Sequence, residues 1–216
     1  MKLYTHWRAN SPWRVRIALA WKALPHEVVM VDLVAGQQRT DDFRGLSLAE
    51  QVPVLELDER GPDGRPRRIT QSMAIIEYLD ERYPTPPLLP ADPWLRARAR
   101  QLAEIVNSGI QPHQNLGTTT KLAEVGGDRA KWLAHFIPRG LAVLERGAAE
   151  TAGTFLVGDA VTIADVYLIP QLYAARRFGV DLAPYPTLVR VEAACAALPA
   201  FQSAHADAQP DSPQRA

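Results

Sequence analysis

Over Lys2–Thr5 apolar and polar residues alternate, the period of a short β-strand. Val15, Ile17, Ala18 and Trp21 then recur at mixed helical spacing behind Ser11-Pro12. A serine followed by proline reads as an N-cap with proline at the first helical position. Val28–Val31 is a second strand, and the polar stretch Gln37–Phe43 predicts a short, irregular helix. Val54–Leu57 and Arg68–Thr70 read as a hairpin, joined by Glu59–Arg67 with its Gly61-Pro62-Asp63-Gly64 turn signal. Ser72, a good N-cap, opens an amphipathic helix to Arg82.

The order β-α-β-α-β-β-α is that of a thioredoxin-like domain, here residues 1–83. A proline-rich linker follows at 84–90 and marks a domain boundary. Residues 91–216 read as an all-helical second domain. Asp92-Pro93 starts a long helix expected to reach about Asn115, and Asp128–Ala149 is a second. Thr162 and Asp165 have the spacing of a capping box, in which each side chain satisfies a helix-start N–H of the other's residue. Tyr185-Pro186 starts a last helix to about Leu198, and the polar end 206–216, with two prolines, is expected to fray.

The 216 residues carry 24 basic and 24 acidic side chains. A net charge of zero gives no field that favours nucleic acid or an anionic membrane. No apolar run approaches a membrane span, and no signal-peptide pattern precedes the first strand. The single cysteine, Cys195, excludes an internal disulfide and a Cys-x-x-Cys redox pair and reads as a small buried apolar residue. These features point to the cytoplasm. His113 and His135 lack partners at metal-ligand spacing, so no metal site is read.

Two stretches carry the chemistry. In Gln51-Val52-Pro53-Val54-Leu55 a proline precedes a strand. A cis Val52–Pro53 bond would leave the Val52 N–H and C=O open to pair with an extended peptide. In Gln71-Ser72-Met73-Ala74-Ile75-Ile76-Glu77-Tyr78-Leu79 a helix N-terminus presents N–H groups to an anion. Together they suit a small acidic peptide, held by its backbone and its carboxylate.

That combination resembles the glutathione transferases. Trp7–Leu19 further resembles the zeta class, which includes maleylacetoacetate isomerase and, more distantly, maleylpyruvate isomerase. The similarity continues through Gln71–Leu79, Ile110-Gln111-Pro112 with Gln114-Asn115, Trp132 with His135-Phe136-Ile137, Gly158–Asp165, Pro170-Gln171, Ala175–Leu182 and Leu198–Gln202. The run Ala175-Arg176-Arg177-Phe178-Gly179-Val180-Asp181-Leu182 is specific to this branch.

The resemblance implies a glutathione transferase fold, α/β followed by all-α, and glutathione as coenzyme. It implies cis–trans isomerisation of maleylacetoacetate to fumarylacetoacetate by thiolate addition, rotation and elimination. Maleylpyruvate isomerisation, general glutathione transfer or dehalogenation, and non-catalytic binding are the alternatives on the same scaffold. A homodimer acting on a small dicarboxylic substrate is implied as well. Gln51, Val52, Pro53, Gln71 and Ser72 would hold glutathione, with Gln38 at its glycine end and Gln111 and Asn115, four apart on one helix face, lining the cleft. Arg8 and Arg177, or Arg176 in its place, would take the substrate carboxylates. The maleylpyruvate type has a basic pair where this chain has Leu116-Gly117.

One departure stands out. The family's Ser-Ser-Cys-x-x-Arg segment is here Ala9-Asn10-Ser11 with Arg14 closing it. The first serine, commonly assigned to thiolate activation, is absent. Ser11 becomes the leading catalytic candidate, with the Asn10 amide as a second donor, because a hydroxyl donor, an arginine and a helix N-terminus all favour a thiolate. Ser11 is also expected to cap its helix.

Overall fold

Leu3 sits at the centre of the sheet, opposite Val28 on one side and Leu55 on the other. In this computed structural model, which describes residues 1–214, β1 (Lys2–Thr5), β2 (Glu27–Met30), β3 (Val54–Arg60) and β4 (Pro66–Thr70) form one four-stranded sheet in the order β2-β1-β3-β4. β1 runs parallel to β2 and antiparallel to β3, and β4 closes the hairpin. Alternation sends successive side chains to opposite faces. Leu3 and Leu55 are fully buried. Their neighbours Tyr4 and Val54, paired across the strands, join a cluster with Val31 and Phe43. Phe43 comes from α2 (Asp41–Arg44), which follows a 3-10 turn at Gln37–Arg39.

α1 (Asn10–Trp21) packs against β1 and α3 (Ser72–Arg82), and α3 also against β4. The two helices contribute Trp13, Ile17, Ile75, Ile76 and Leu79 to the core. The Lys22 ammonium, just past α1, is fully buried and donates to Asp80 at 2.8 Å, Tyr83 O at 2.7 Å and Pro86 O at 2.9 Å. The hairpin strands run longer than expected, to Arg60 and from Pro66. The ladder continues there through exposed charged residues that carry no apolar signal.

The second unit is helical: α4 (Pro93–Asn107), α5 (Gln111–Gln114), α6 (Leu116–Glu124), α7 (Arg129–Ala148), α8 (Ile163–Arg177) and α9 (Pro186–Ala196). Every residue of α8 from Ile163 to Leu172 is buried, the mark of a central helix. α4 and α9 pack against it, and α7 against both of them. Asp92 and Asp128 cap α4 and α7 with their carboxylates. Thr162 and Asp165 form the complete capping box of α8.

The long helix expected from Asp92 to Asn115 is broken at Asn107. Gly109 makes the turn: a Cβ there would stand 2.6 Å from the Ile105 carbonyl oxygen. α6 lies in the part read as all-helical but matches no individual helix placed from the sequence. Thr119 is its only buried residue, so it has no apolar stripe to read.

The largest correction lies at the end of the chain. One compact unit comprises residues 1–87 together with the chain from Leu198 onward, and the other comprises 88–197. Residues 198–214 were expected in the second domain and belong with the first. α9 stops at Ala196, and a further helix, α10 (Pro199–Ala204), packs on α1. Nor is the segment from Ala206 to Gln214 frayed. Gln209 donates to Ser203 O at 3.0 Å and His205 O at 2.9 Å, and Ser212 is buried. These polar residues pair with backbone, so hydrophilicity did not mean freedom. Residues 215–216 of that expectation lie outside the described residues.

Candidate functional site

The start of α1 differs from the sequence reading by two residues. Its N-cap is Ala9, with extended backbone and no capping side chain, and Ser11 is the second helical residue. Trp13 N–H donates to Ala9 O at 3.1 Å, the first helical hydrogen bond. Pro12 is therefore third in the helix, where a missing N–H still costs nothing. The Ser11 hydroxyl thus makes no cap. Asn10, the first helical residue, is only 6% exposed, and its Nδ2 meets no acceptor among the described residues.

α3 is displaced in the same direction, by one residue. Its N-cap is Gln71, at φ +70 and without a side-chain cap, so Ser72 is the first helical residue and not the cap. The Ser72 hydroxyl accepts a hydrogen bond from the fully buried Arg14 guanidinium at 3.2 Å. This contact ties the two helix starts together. The first N–H groups of α3 have no partner within the helix.

The Val52–Pro53 bond is cis. Among the described residues nothing hydrogen-bonds to the Val52 N–H or C=O, whereas the exposed Gln51 spends its N–H on Ser47 Oγ at 3.4 Å. Gln38 is buried in the middle of the 3-10 turn. Its Nε2 reaches Leu33 O at 3.5 Å, and its Oε1 meets no donor among the described residues. The Arg8 guanidinium lies 5.2 Å from the centre of the Trp7 ring.

The remaining candidates lie in the second unit. Gln111 begins α5 and Asn115 follows its end, so they do not share one helix, although Gln111 Nε2 donates to Asn115 Oδ1 at 3.4 Å. Arg176 is held in a two-pronged ion pair with Glu192, which raises its pKa. Arg177 lies over the Phe178 ring at 4.6 Å. His113 is stacked flat on Phe136 at 3.7 Å, with His135 edge-on to the same ring. Burial and then the neighbouring His135 lower the His113 pKa. Among the described residues no group of side chains could hold a metal ion. Cys195 is buried, and burial pushes its thiol out of the reactive range.

Arg16 escaped the sequence reading. It is 4% exposed and donates to Thr5 Oγ1 at 2.8 Å, His6 O at 3.3 Å and Trp7 O at 2.7 Å, bracing the loop before α1. The signal was the mixed spacing of α1 itself: Arg14 and Arg16 alternate with Val15 and Ile17 on a helix buried nearly all round.

Residues 10–82 match the glutathione S-transferase N-terminal domain profile and residues 129–206 the C-terminal domain profile. The maleylacetoacetate isomerase of Mus musculus is 44% identical over 98% of this chain and 94% of its own length. The chain belongs to the zeta-class glutathione transferase and maleylacetoacetate isomerase family.

Among solved zeta-class relatives, the maleylacetoacetate isomerase of Anaeromyxobacter dehalogenans 2CP-1, with glutathione bound in its active site, is 54% identical. It superimposes with a TM-score of 0.89, covering 98% of this chain and 97% of that one. The same protein has also been solved with dicarboxyethyl glutathione and citrate in the active site. The holo structure of a bacterial zeta-class maleyl pyruvate isomerase is 41% identical at a TM-score of 0.90, covering 98% of this chain and all of that one.

Proposed function

We propose that this zeta-class chain isomerises maleylacetoacetate to fumarylacetoacetate with glutathione as coenzyme. The observation that carries the reading is the buried Asn10 amide, which has no acceptor among the described residues and stands next to a serine outside any cap. Two hydrogen-bond donors at a helix start suit a thiolate. The other glutathione contacts fit the same ligand: the Val52 backbone for an extended peptide, the α3 N-terminus at Ser72 for its carboxylate, and the unpaired Gln38 Oε1 for a further N–H. Gln51, Pro53 and Gln71 frame these groups, and Gln111 and Asn115 are kept as glutathione residues from the family resemblance.

When bound, glutathione supplies a thiol nucleophile for reversible addition to the cis double bond. The chain's part is to hold that sulfur as anion with Ser11 and Asn10 and to fix the substrate's two acidic ends. Arg8 and Arg177 take those ends, Arg177 being chosen over Arg176 from the family pattern, and Arg176 is ion-paired with Glu192. Arg177→Ala is therefore expected to raise KM for a maleyl substrate by about tenfold or more, the loss of one charge-assisted hydrogen bond. Arg176→Ala should change it by less than about threefold. Steady-state kinetics that reverse this ranking would reassign the pair.

The decisive experiment is turnover of maleylacetone with substoichiometric glutathione. Many turnovers per glutathione are expected, and consumption of glutathione mole for mole would favour a transferase instead. Leu116 and Gly117 are exposed and uncharged, which favours maleylacetoacetate over maleylpyruvate. The family relationship supports a homodimer. Among the described residues no helix is long and apolar enough to cross a membrane, and a cytoplasmic location is part of the proposal.

A further inference from the structure

The chain's C-terminal segment returns to the loop that precedes α1. Asp211 Oδ2 accepts the Trp7 N–H at 3.1 Å and lies 3.9 Å from His6 Nδ1. His6 Nδ1 is itself 3.1 Å from the Val31 carbonyl, which fixes where its proton sits. On the next peptide unit, Arg16 Nη2 donates to Trp7 O at 2.7 Å, and its Nε reaches back to Ala204 O at 3.2 Å. Trp7 is thus gripped through both its backbone groups, by a helix residue and by the tail.

Burial pulls Arg16 down to about 9, and the Asp211 charge acts against that pull. Asp211 Oδ1 is buried and meets no donor among the described residues. A carboxylate so placed costs desolvation, which a stretch of tail would not need merely to lie on α1. Ala9 N–H closes the loop onto His6 O at 3.2 Å, so the path from Trp7 to Arg8, Asn10 and Ser11 is one short turn.

We propose that Asp211 is a positioning residue for the reaction: by fixing the Trp7 backbone it sets the aim of Arg8, Asn10 and Ser11. This rests on the proposed glutathione role of that loop. Its rival is a plain staple, in which Asp211 anchors the tail and nothing at the loop responds.

The test compares the full-length protein with Asp211→Ala, Asp211→Leu and Asp211→Asn. Leucine fills the same space without an acceptor, and asparagine keeps a carbonyl oxygen for Trp7. Three quantities are read: exchange of the Trp7 amide without glutathione, the pKa of the bound thiol from its thiolate absorbance, and the split between kcat and KM. Alanine and leucine are expected to speed Trp7 exchange, raise the bound-thiol pKa and lower kcat by about tenfold, since small misplacements of reacting groups are costly. KM for glutathione should move less, and asparagine should restore most of each loss.

Unchanged Trp7 exchange in a folded alanine or leucine variant overturns the clamp. Faster exchange with thiol pKa and kcat at wild-type values overturns the positioning role and leaves a staple. A wild-type protein that does not lower the thiol pKa of glutathione overturns the reading of the loop, and this inference with it. That result is distinguishable, because it needs no variant.

Discussion

Asp165→Ala is expected to remove about 3–5 kcal/mol of stability, a large share of the roughly 5–15 kcal/mol that holds a domain together. The Asp165 side chain is fully buried. Its Oδ2 accepts from Thr162 N at 2.7 Å and Thr162 Oγ1 at 3.0 Å, and its Oδ1 accepts from Leu156 N at 2.8 Å. Alanine strands two buried N–H groups, each at about 1–3 kcal/mol, and dissolves the capping box of the central helix. Asp165→Asn keeps one oxygen acceptor and should fall between. Urea unfolding followed by circular dichroism measures both, and a midpoint for the alanine variant close to wild type would refute the account.

The same residue gives a pH dependence of definite sign. Burial pushes Asp165 up to about 6 from its ordinary 3.8, against the downward pull of the Leu156 and Thr162 hydrogen bonds. The folded chain therefore binds this proton more tightly than the unfolded chain. Its contribution is fully present below about pH 3.8 and is lost as pH rises through 6. Asp165→Asn should flatten the stability profile across that window.

Ser11→Ala should raise the pKa of bound glutathione by about one to two units, the worth of one charge-assisted hydrogen bond at about 1.5–3 kcal/mol. The reason is Ala9, which stands where the family's thiolate-activating serine usually is. The structure also changes what the variant does to stability. A capping serine would cost on the order of 1 kcal/mol to remove, but Ser11 is inside the helix and makes no cap. Alanine keeps the helical backbone at this position, whereas Ser11→Gly adds about 0.5–1 kcal/mol of backbone entropy cost. Titration of the bound-thiol absorbance decides. If Ser11→Ala leaves the pKa unmoved while Asn10→Ala shifts it, the Asn10 amide is the principal donor.

The displaced helix starts show where sequence reading reaches its limit. A cap is recognised by a side chain that can bond to helix N–H groups. Asp92, Asp128 and Thr162 do so, and their helices begin where expected. Ala9 and Gln71 cap with backbone alone, so the nearest hydroxyl, Ser11 or Ser72, drew the boundary toward itself. Strands with a buried face were legible for the same local reason, and the exposed α6 was not. The Arg14–Ser72 contact joins residues 58 positions apart, and no local pattern encodes it. The two buried arginines of α1 were visible as an interruption of its periodicity, but their partners were not.

The return of the tail to α1 also orders events in time. Phe201, Ala204 and Ala206 are buried in a unit whose other part ends at Pro87. On the ribosome, Leu88–Ala197 must be made between the two parts. At roughly 5–20 residues per second, the N-terminal unit waits for several seconds with the surface of α1 that receives α10 uncovered. A nascent chain halted before Leu198 thus carries a sheet and helices lacking their last layer, and that exposed surface is where a chaperone would take hold.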